Sequence, residues 1–335
     1  MDNLTHSLVG ALLGQAGLKR KTGLAMPALI IGANLPDVDA ACLFWLEGVG
    51  HLGFRRGITH GPPALVLLPL ILAGILYGFD RWQAKRGQRR FGRPEGRLPV
   101  SFKWLFLLSF IGCLTHPAMD WLNVYGIRLL EPFSSQWFYG DTLFIIDVWL
   151  WAIMGFAVWF SLRREKRGKS GRWPAVSAIL LSLTYILANW VLTNASFVPY
   201  GINQKVVPTA KNGLGPKPFI PTTQMIASPV PFNSFGRELI SGQKNRYFVI
   251  PVNVVPSPWE ARPITNRPCG WPNESELATG GSQSEAFLFW SRAPFAERAD
   301  DGSVILRDAR FYDPLARDRF SVALPKVKCE ELPVR

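Results

Sequence analysis

The chain has 335 residues, 48% of them hydrophobic, a formal net charge of +13 and four cysteines. A chain of this length can hold two domains, and its composition changes near residue 195. The positive charge is concentrated in short linkers, which disfavours nucleic acid as a partner, and the lack of a CxxC pattern leaves a cysteine zinc site unsupported.

Apolar stretches dominate the first 195 residues, and most approach the roughly 20 residues that a helix needs to cross a bilayer. Four apolar stretches lie at residues 64–79, 102–122, 143–162 and 173–192. Two segments that are diluted by Gly and polar residues come before them, at 4–18 and 24–45. We predict a membrane α-helical bundle of about five or six transmembrane or half-spanning helices, followed by a small soluble β-rich C-terminal domain.

The first segment, residues 4–18, is shorter than the other stretches and is predicted to be a helix buried among them. Gly10 and Gly14 follow His6 by one and two helical turns. Because such small residues let a neighbouring backbone approach closely, this face of the helix should be packed and His6 should point into the bundle.

The linkers between the apolar stretches alternate in charge. Residues 19–21, 81–97 and 163–172 carry three, seven and six Lys and Arg residues, whereas the alternate linkers carry only Arg55, Arg56 and Arg128. This asymmetry predicts a multi-pass protein of the cytoplasmic (inner) membrane whose three basic linkers are cytoplasmic. All polar motifs then fall at the outer membrane face.

Beyond the membrane domain, residues 1–195, we predict a Pro-rich linker at 196–232 and a β-rich extracytoplasmic domain at 233–335. Residues 247–255, 286–290, 303–312 and 319–327 have the alternating or β-branched character of strands. Cys269 and Cys329 share this domain and form a disulfide if it faces an oxidising compartment; free thiols are the alternative.

The apolar stretch at 102–122 ends in an unusual pair, His116 and Asp120, one helical turn apart. Ionisable residues in membrane segments are costly and are usually functional. Imidazole and carboxylate on one helix face suit zinc, and also manganese or iron. The alternative is that His116 is a hydrogen-bonded packing residue.

Three other motifs carry polar groups on the same predicted side. "NLPDVD" contains Asp37 and Asp39, which are either ligands or helix caps, and "RRGITHG" sets His60 before a proline-started helix. Asp147 lies within "LFIIDVWLW", where a metal ion, a histidine or Arg128 could compensate its charge.

Taken together, these motifs resemble those of a known protein family. "HSLVG", "NLPDVD", "RRGITH", "HPAMDWLNVYGIRLLEPF" and "DTLFIID" resemble the YdjM-like family over most of residues 1–150. The resemblance implies an inner-membrane metal-dependent hydrolase, a family described through one member as LexA-binding. The family commonly has a histidine where this chain has Arg55, which puts a second metal site in doubt.

The expected function is a metal-dependent hydrolase that acts on a lipid or lipid-linked ester or phosphoester through metal-activated water. The expected cofactor is a divalent metal ion, zinc before manganese or iron. The expected metal ligands are His6, Asp39, His60, His116 and Asp120. The expected catalytic residues are Asp37, Asp39, His116 and Asp120, with Asp37, Asn123 and Asp147 as supporting groups around the ligands.

Two other classes of function stay open. One is a non-enzymatic membrane protein whose structural metal site supports partner binding. The other is an ion transporter, which the sequence disfavours because the polar groups lie at one membrane face and no internal repeat is visible.

Overall fold

The structure is a computed structural model that describes residues 1–87, 90–197, 224–243, 246–253, 261–314 and 316–332. The chain divides into two compact units. The first comprises Met1–Val38 and Arg56–Trp190, and the second comprises Asp39–Arg55 and Val191–Arg335. The segment between Asp37 and His60 therefore belongs mostly to the second unit.

The N-terminal region is helical. Its α-helices are α1 (Asn3–Gln15), α2 (Ala25–Asn34), α3 (His51–Phe54), α4 (Pro62–Arg86), α5 (Phe102–Trp121), α6 (Val148–Lys166) and α7 (Arg172–Ala195). Short 3-10 helices run over Leu35–Phe44 and Ile58–His60. Four helical stretches of the described chain are long and apolar enough to cross a membrane: Ala25–Phe44, Pro62–Arg86, Phe102–Trp121 and Arg172–Ala195.

The predicted fold class is confirmed, and four of the described helical stretches are candidate full spans. Helix α1 has 13 residues, as its short apolar segment indicated. The predicted stretch at 143–162 becomes helical only at Val148, because Asp147 caps α6 by accepting hydrogen bonds from two backbone N–H groups. The last turn of α6 is basic.

Helix α2 packs tightly between α1 and α5. A Cβ added to Gly10 of α1 would lie 2.7 Å from the carbonyl oxygen of Leu29, and one added to Gly112 of α5 would lie 2.6 Å from the same oxygen. Both positions therefore require glycine for this helix spacing. The expected close approach along the Gly10 face of α1 is confirmed.

The described residues of the C-terminal region form two small antiparallel sheets and two short helices. The first sheet has the order β1 (Gln224–Val230), β2 (Asn233–Gln243), β3 (Arg246–Asn253) and β4 (Arg262–Pro263). Helices α8 (Glu274–Ala278) and α9 (Gly281–Trp290) follow. The second sheet has the order β5 (Pro294–Arg298), β6 (Ser303–Asp308) and β7 (Ser321–Lys328).

Strands β3, β6 and β7 fall in predicted strand segments, but the strand predicted at 286–290 is wrong. These residues form the end of α9, whose Phe287 and Trp290 are buried one turn apart. A short apolar run fits a buried helix as well as a strand, and only the packing partner decides between them. Strand β1 lies inside the predicted linker, and residues 198–223 of that linker lie outside the described residues.

The second unit is held together by covalent and polar contacts. Cys269 and Cys329 form a disulfide, as the sequence analysis allowed. Burial disfavours the charged form of the Asp308 carboxyl, but the adjacent Arg310 guanidinium and a hydrogen bond from Ser291 outweigh burial and hold the pKa of Asp308 below its usual value. These contacts fix the strand ends of the second sheet.

Candidate metal centre

The centre begins at the C-terminal end of α5, where His116 and Asp120 are both fully buried. His116 Nε2 lies 3.6 Å from Asp120 Oδ2, so the spacing of one helical turn does bring the two groups together. His116 Nδ1 lies 2.7 Å from the carbonyl oxygen of Ala33 in α2. Since a carbonyl only accepts, Nδ1 carries the proton and the lone pair of Nε2 faces the cluster.

Helix α1 adds a second buried imidazole. The His6 ring stacks on His116 with 3.8 Å between ring centroids, and His6 Nε2 lies 3.4 Å from Asp120 Oδ1. Within the described chain, neither His6 nitrogen makes a hydrogen bond of good geometry. Asp2 fixes the start of α1 by capping it, and Trp151 of α6 donates to Asp2 at 3.2 Å.

His60 and Asp37 complete the cluster from the other side. His60 ends the 3-10 helix before α4, and its Nε2 lies 3.6 Å from Asp120 Oδ2. Asp37 Oδ1 lies 3.8 Å from His116 Nε2. Two groups of potential metal ligands result, namely His6, His116 and Asp120, and Asp37, His60 and His116. We call these five residues the His/Asp cluster.

Positive groups surround Asp120. The Met1 amino group donates to its Oδ1, and Arg56 Nε lies 3.0 Å from its Oδ2. Arg56 has a φ of 55°, in the left-handed region that residues other than glycine rarely adopt. Its guanidinium is held by Asn123 Oδ1 at 3.0 Å and by the carbonyl oxygen of Gly126 at 3.1 Å.

Sequence reasoning missed Arg56 as a site residue. The available signal was its position within the motif RRGITHG that contains His60, in a linker with very few basic residues. Asn123 was expected to support the ligands, and it does so indirectly, because it holds the arginine that contacts Asp120.

Two predicted site residues, Asp39 and Asp147, are not part of the cluster. Among the described residues, neither group of potential ligands includes Asp39 or Asp147. Asp39 belongs to the second unit, where Arg55 Nε lies 3.4 Å from its Oδ1. Asp147 caps α6 and accepts a hydrogen bond from Tyr185 at 2.9 Å, so a helix cap and a tyrosine, rather than Arg128, satisfy this carboxylate.

The His/Asp cluster fits a divalent ion by chemistry, and the ligand atoms of each three-residue group lie within 4.8 Å of one another. Ligand atoms around a tetrahedral zinc ion, at bonds of roughly 2.0–2.1 Å, lie about 3.3 Å from one another. The three Nε2 atoms lie 3.4 to 3.6 Å from oxygens of Asp120. Neutral imidazoles and a carboxylate are ligands that zinc, manganese and iron accept.

Comparison with known proteins places the chain in a family. The family model described as YdjM inner membrane protein matches residues 1–195. A relative, the uncharacterized protein YfhP of Bacillus subtilis (strain 168), is 26% identical over 202 residues, which are 57% of this chain and 53% of the relative. The chain thus matches about half the length of this relative. No solved structure matches.

The matched residues contain the whole His/Asp cluster and all four candidate spans. The chain therefore belongs to the YdjM family of inner membrane proteins.

Proposed function

We propose that this protein is a membrane-bound, metal-dependent hydrolase that acts on a lipid or lipid-linked ester or phosphoester. The observation that carries the proposal is the convergence of three buried imidazoles on one buried carboxylate at ligand spacing. Burying so many ionisable groups beside membrane helices is costly unless an ion or a reaction requires them.

The residues of the cluster divide into ligands and a base. His6, His116 and Asp120, one of the two groups of potential ligands, together with His60, whose Nε2 lies 3.6 Å from Asp120 Oδ2, would hold a divalent ion, which supplies Lewis-acid polarisation of the substrate and lowers the pKa of water. Arg56 keeps Asp120 oriented through their 3.0 Å contact. Asp37 has a more exposed side chain than Asp120, 7% against 1%, which favours Asp37 as the general base that accepts the proton of the attacking water.

We also propose a multi-pass arrangement with the cluster and the second unit on the outer side of the membrane. The basic linkers support this orientation through the positive-inside rule. The Cys269–Cys329 disulfide supports it independently, since disulfides persist in oxidising compartments outside the cytoplasm. A lipid substrate suits an outer-face site because the reacting group of such a lipid lies at the interface.

Turnover before and after metal removal tests the proposal. The detergent-purified protein is stripped with a chelator, reloaded separately with zinc, manganese or iron, and incubated with a bacterial lipid extract analysed by mass spectrometry. We expect hydrolysis to disappear on stripping and to return with one of these metals. A matched control is His51→Ala, because His51 bonds the Gly48 carbonyl at 3.0 Å and belongs to neither ligand group.

Hydrolysis unaffected by stripping would contradict the metal-dependent mechanism. Tight metal binding without turnover of any lipid in the extract would instead favour the non-enzymatic alternative, in which the ion only stabilises the membrane unit.

A further inference from the structure

The helices that carry the His/Asp cluster also line a partly open cavity of about 210 Å³. Ten of its twelve lining residues are apolar, and the other two are Thr115 and Ser182. The Thr115 hydroxyl is turned to the carbonyl oxygen of Gly112, to which it donates at 2.6 Å. Side chains from four helices form the wall, among them Leu12 of α1, Met119 of α5, Met154 of α6 and Ile186 of α7.

An apolar chain is the occupant that suits this wall. A cavity of about 150 Å³ with a similar lining stays dry and takes up benzene, so water is not expected here. Helices α5 and α7 are candidate membrane spans, and the apolar molecules around such helices are lipids. The cavity exceeds the benzene-sized example, so it has room for several methylene groups.

The cavity adjoins the His/Asp cluster along α5. Thr115 and Met119 line the cavity and directly precede His116 and Asp120 of the cluster. Successive residues of an α-helix lie about 100° apart around the helix axis, so the two faces are neighbours. On α1, Val9 lines the cavity one turn after His6. A chain in the cavity would therefore bring its polar end close to the cluster.

We propose that this cavity seats one unbranched acyl chain of a membrane glycerolipid and presents the polar end of that lipid to the His/Asp cluster. The identification of this lipid as the substrate rests on the proposed function, whereas the acyl-chain seat itself does not. The proposal narrows the substrate class from lipids in general to acyl lipids.

Photochemical labelling tests whether an acyl chain occupies the cavity, and it does not require the protein to hydrolyse the lipid. The full-length protein is placed in nanodiscs that contain phosphatidylglycerol with a diazirine near the end of one acyl chain, and adducts are located by mass spectrometry. We expect adducts to concentrate on cavity side chains. Ile186→Trp should lower these adducts by about tenfold or more, because the larger ring fills the space.

Leu187→Trp is the matched control, since Leu187 lies on the same helix, is 59% exposed and does not line the cavity. It should leave the cavity adducts unchanged. Equal labelling in wild type and Ile186→Trp, or adducts spread evenly over exposed residues such as Leu67 of α4, would overturn the seat and indicate only surrounding lipid.

Two further experiments identify the ligand and test the acyl-chain seat separately from the hydrolase proposal. Unlabelled phosphatidylglycerol should compete with the cavity adducts, and competition by a branched polyprenyl phosphate alone would overturn the assignment to an acyl chain. Cavity adducts that persist in Asp120→Asn, or in a wild type without turnover, support the seat even if the hydrolase proposal fails. Metal-dependent turnover without cavity adducts would support the hydrolase proposal and refute the acyl-chain seat.

Discussion

The two carboxylates of the His/Asp cluster have different surroundings. Asp120 is fully buried between Arg56, the Met1 amino group and three imidazoles. Asp37 is less buried and forms a group of potential ligands with two of those imidazoles, His60 and His116. Carboxylates in such unlike environments usually take different roles, one as a ligand and one as a base.

Conservative substitutions should separate these roles. Asp120→Asn should lose bound metal and hydrolysis together, because the substitution removes the carboxylate on which the three imidazoles converge. Asp37→Asn should retain metal and slow hydrolysis by on the order of 100-fold or more, as expected for loss of a general base. Metal content and turnover are measured on the same preparations. Full turnover in both variants would exclude the proposed mechanism.

Most of the cluster could be predicted from the sequence at the residue scale. His6, His116 and Asp120 stand out because ionisable residues are rare in apolar stretches, and His60 stands out in a short polar motif before a proline-started helix. The Ala33 carbonyl and the Arg56 side chain could not be found this way. The first is a backbone group with no sequence signature, and the second depends on a left-handed backbone conformation that is unusual for arginine.

At the scale of elements, the packing of α2 between α1 and α5 positions the cluster. Gly10 and Gly112 both touch the Leu29 carbonyl, and the same packing places the Ala33 carbonyl on His116. One added carbon atom at either glycine must push the helices apart, whereas a Cβ at Gly74 of α4 would meet no atom within 4 Å.

Alanine substitutions test this packing with opposite expected signs. Gly112→Ala should destabilise the protein by about 1–3 kcal/mol through overpacking and lower its metal content. Gly74→Ala should be neutral or should stabilise by up to about 1 kcal/mol, because alanine is the better helix former. Thermal unfolding in detergent measures both. Equal stability of the two variants would argue against tight packing of α2.

Predicting the elements from sequence worked best for long periodic segments. The helices near 64–79, 102–122 and 173–192 were identified because their apolar stretches exceed what a soluble helix requires. The segment 286–290 was assigned to a strand because five apolar residues carry no decisive period, and its helix depends on packing of Phe287 and Trp290 in the second unit.

At the scale of the whole molecule, the chain leaves the first unit after Val38 and returns at Arg56. Within the second unit, α3 of this excursion packs on α9, and a Cβ added to Gly53 would lie 3.2 Å from the Cβ of Ala286. Asp37 and His60 therefore flank a segment most of which belongs to the second unit.

A bulky residue at the contact between α3 and α9 should affect metal binding at the His/Asp cluster. Gly53→Leu should displace α3 from Ala286 and lower metal content, because it shifts the segment that joins Asp37 to His60. Gly74→Ala again serves as the control. Metal content equal to wild type in Gly53→Leu would show that the ligands are positioned by the first unit alone.

Thiol labelling can test the proposed topology, because the natural cysteines should not react with the reagent. Cys42 and Cys113 are buried, and Cys269 is bonded to Cys329. In intact cells, Asp300→Cys in the second unit should react with an impermeant thiol reagent, and Glu95→Cys in a basic linker should react only after lysis. The reverse pattern would place the second unit in the cytoplasm.

The central claim is that the His/Asp cluster is a metal centre, and elemental analysis tests it most directly. Wild-type protein, His116→Ala, His60→Ala and His51→Ala are purified in detergent without added metal, and the divalent ions bound to each are quantified. We expect a stoichiometric ion in wild type and His51→Ala, and a clear loss in His116→Ala and His60→Ala. Equal metal content in all four proteins would contradict the claim and leave the buried histidines a packing role.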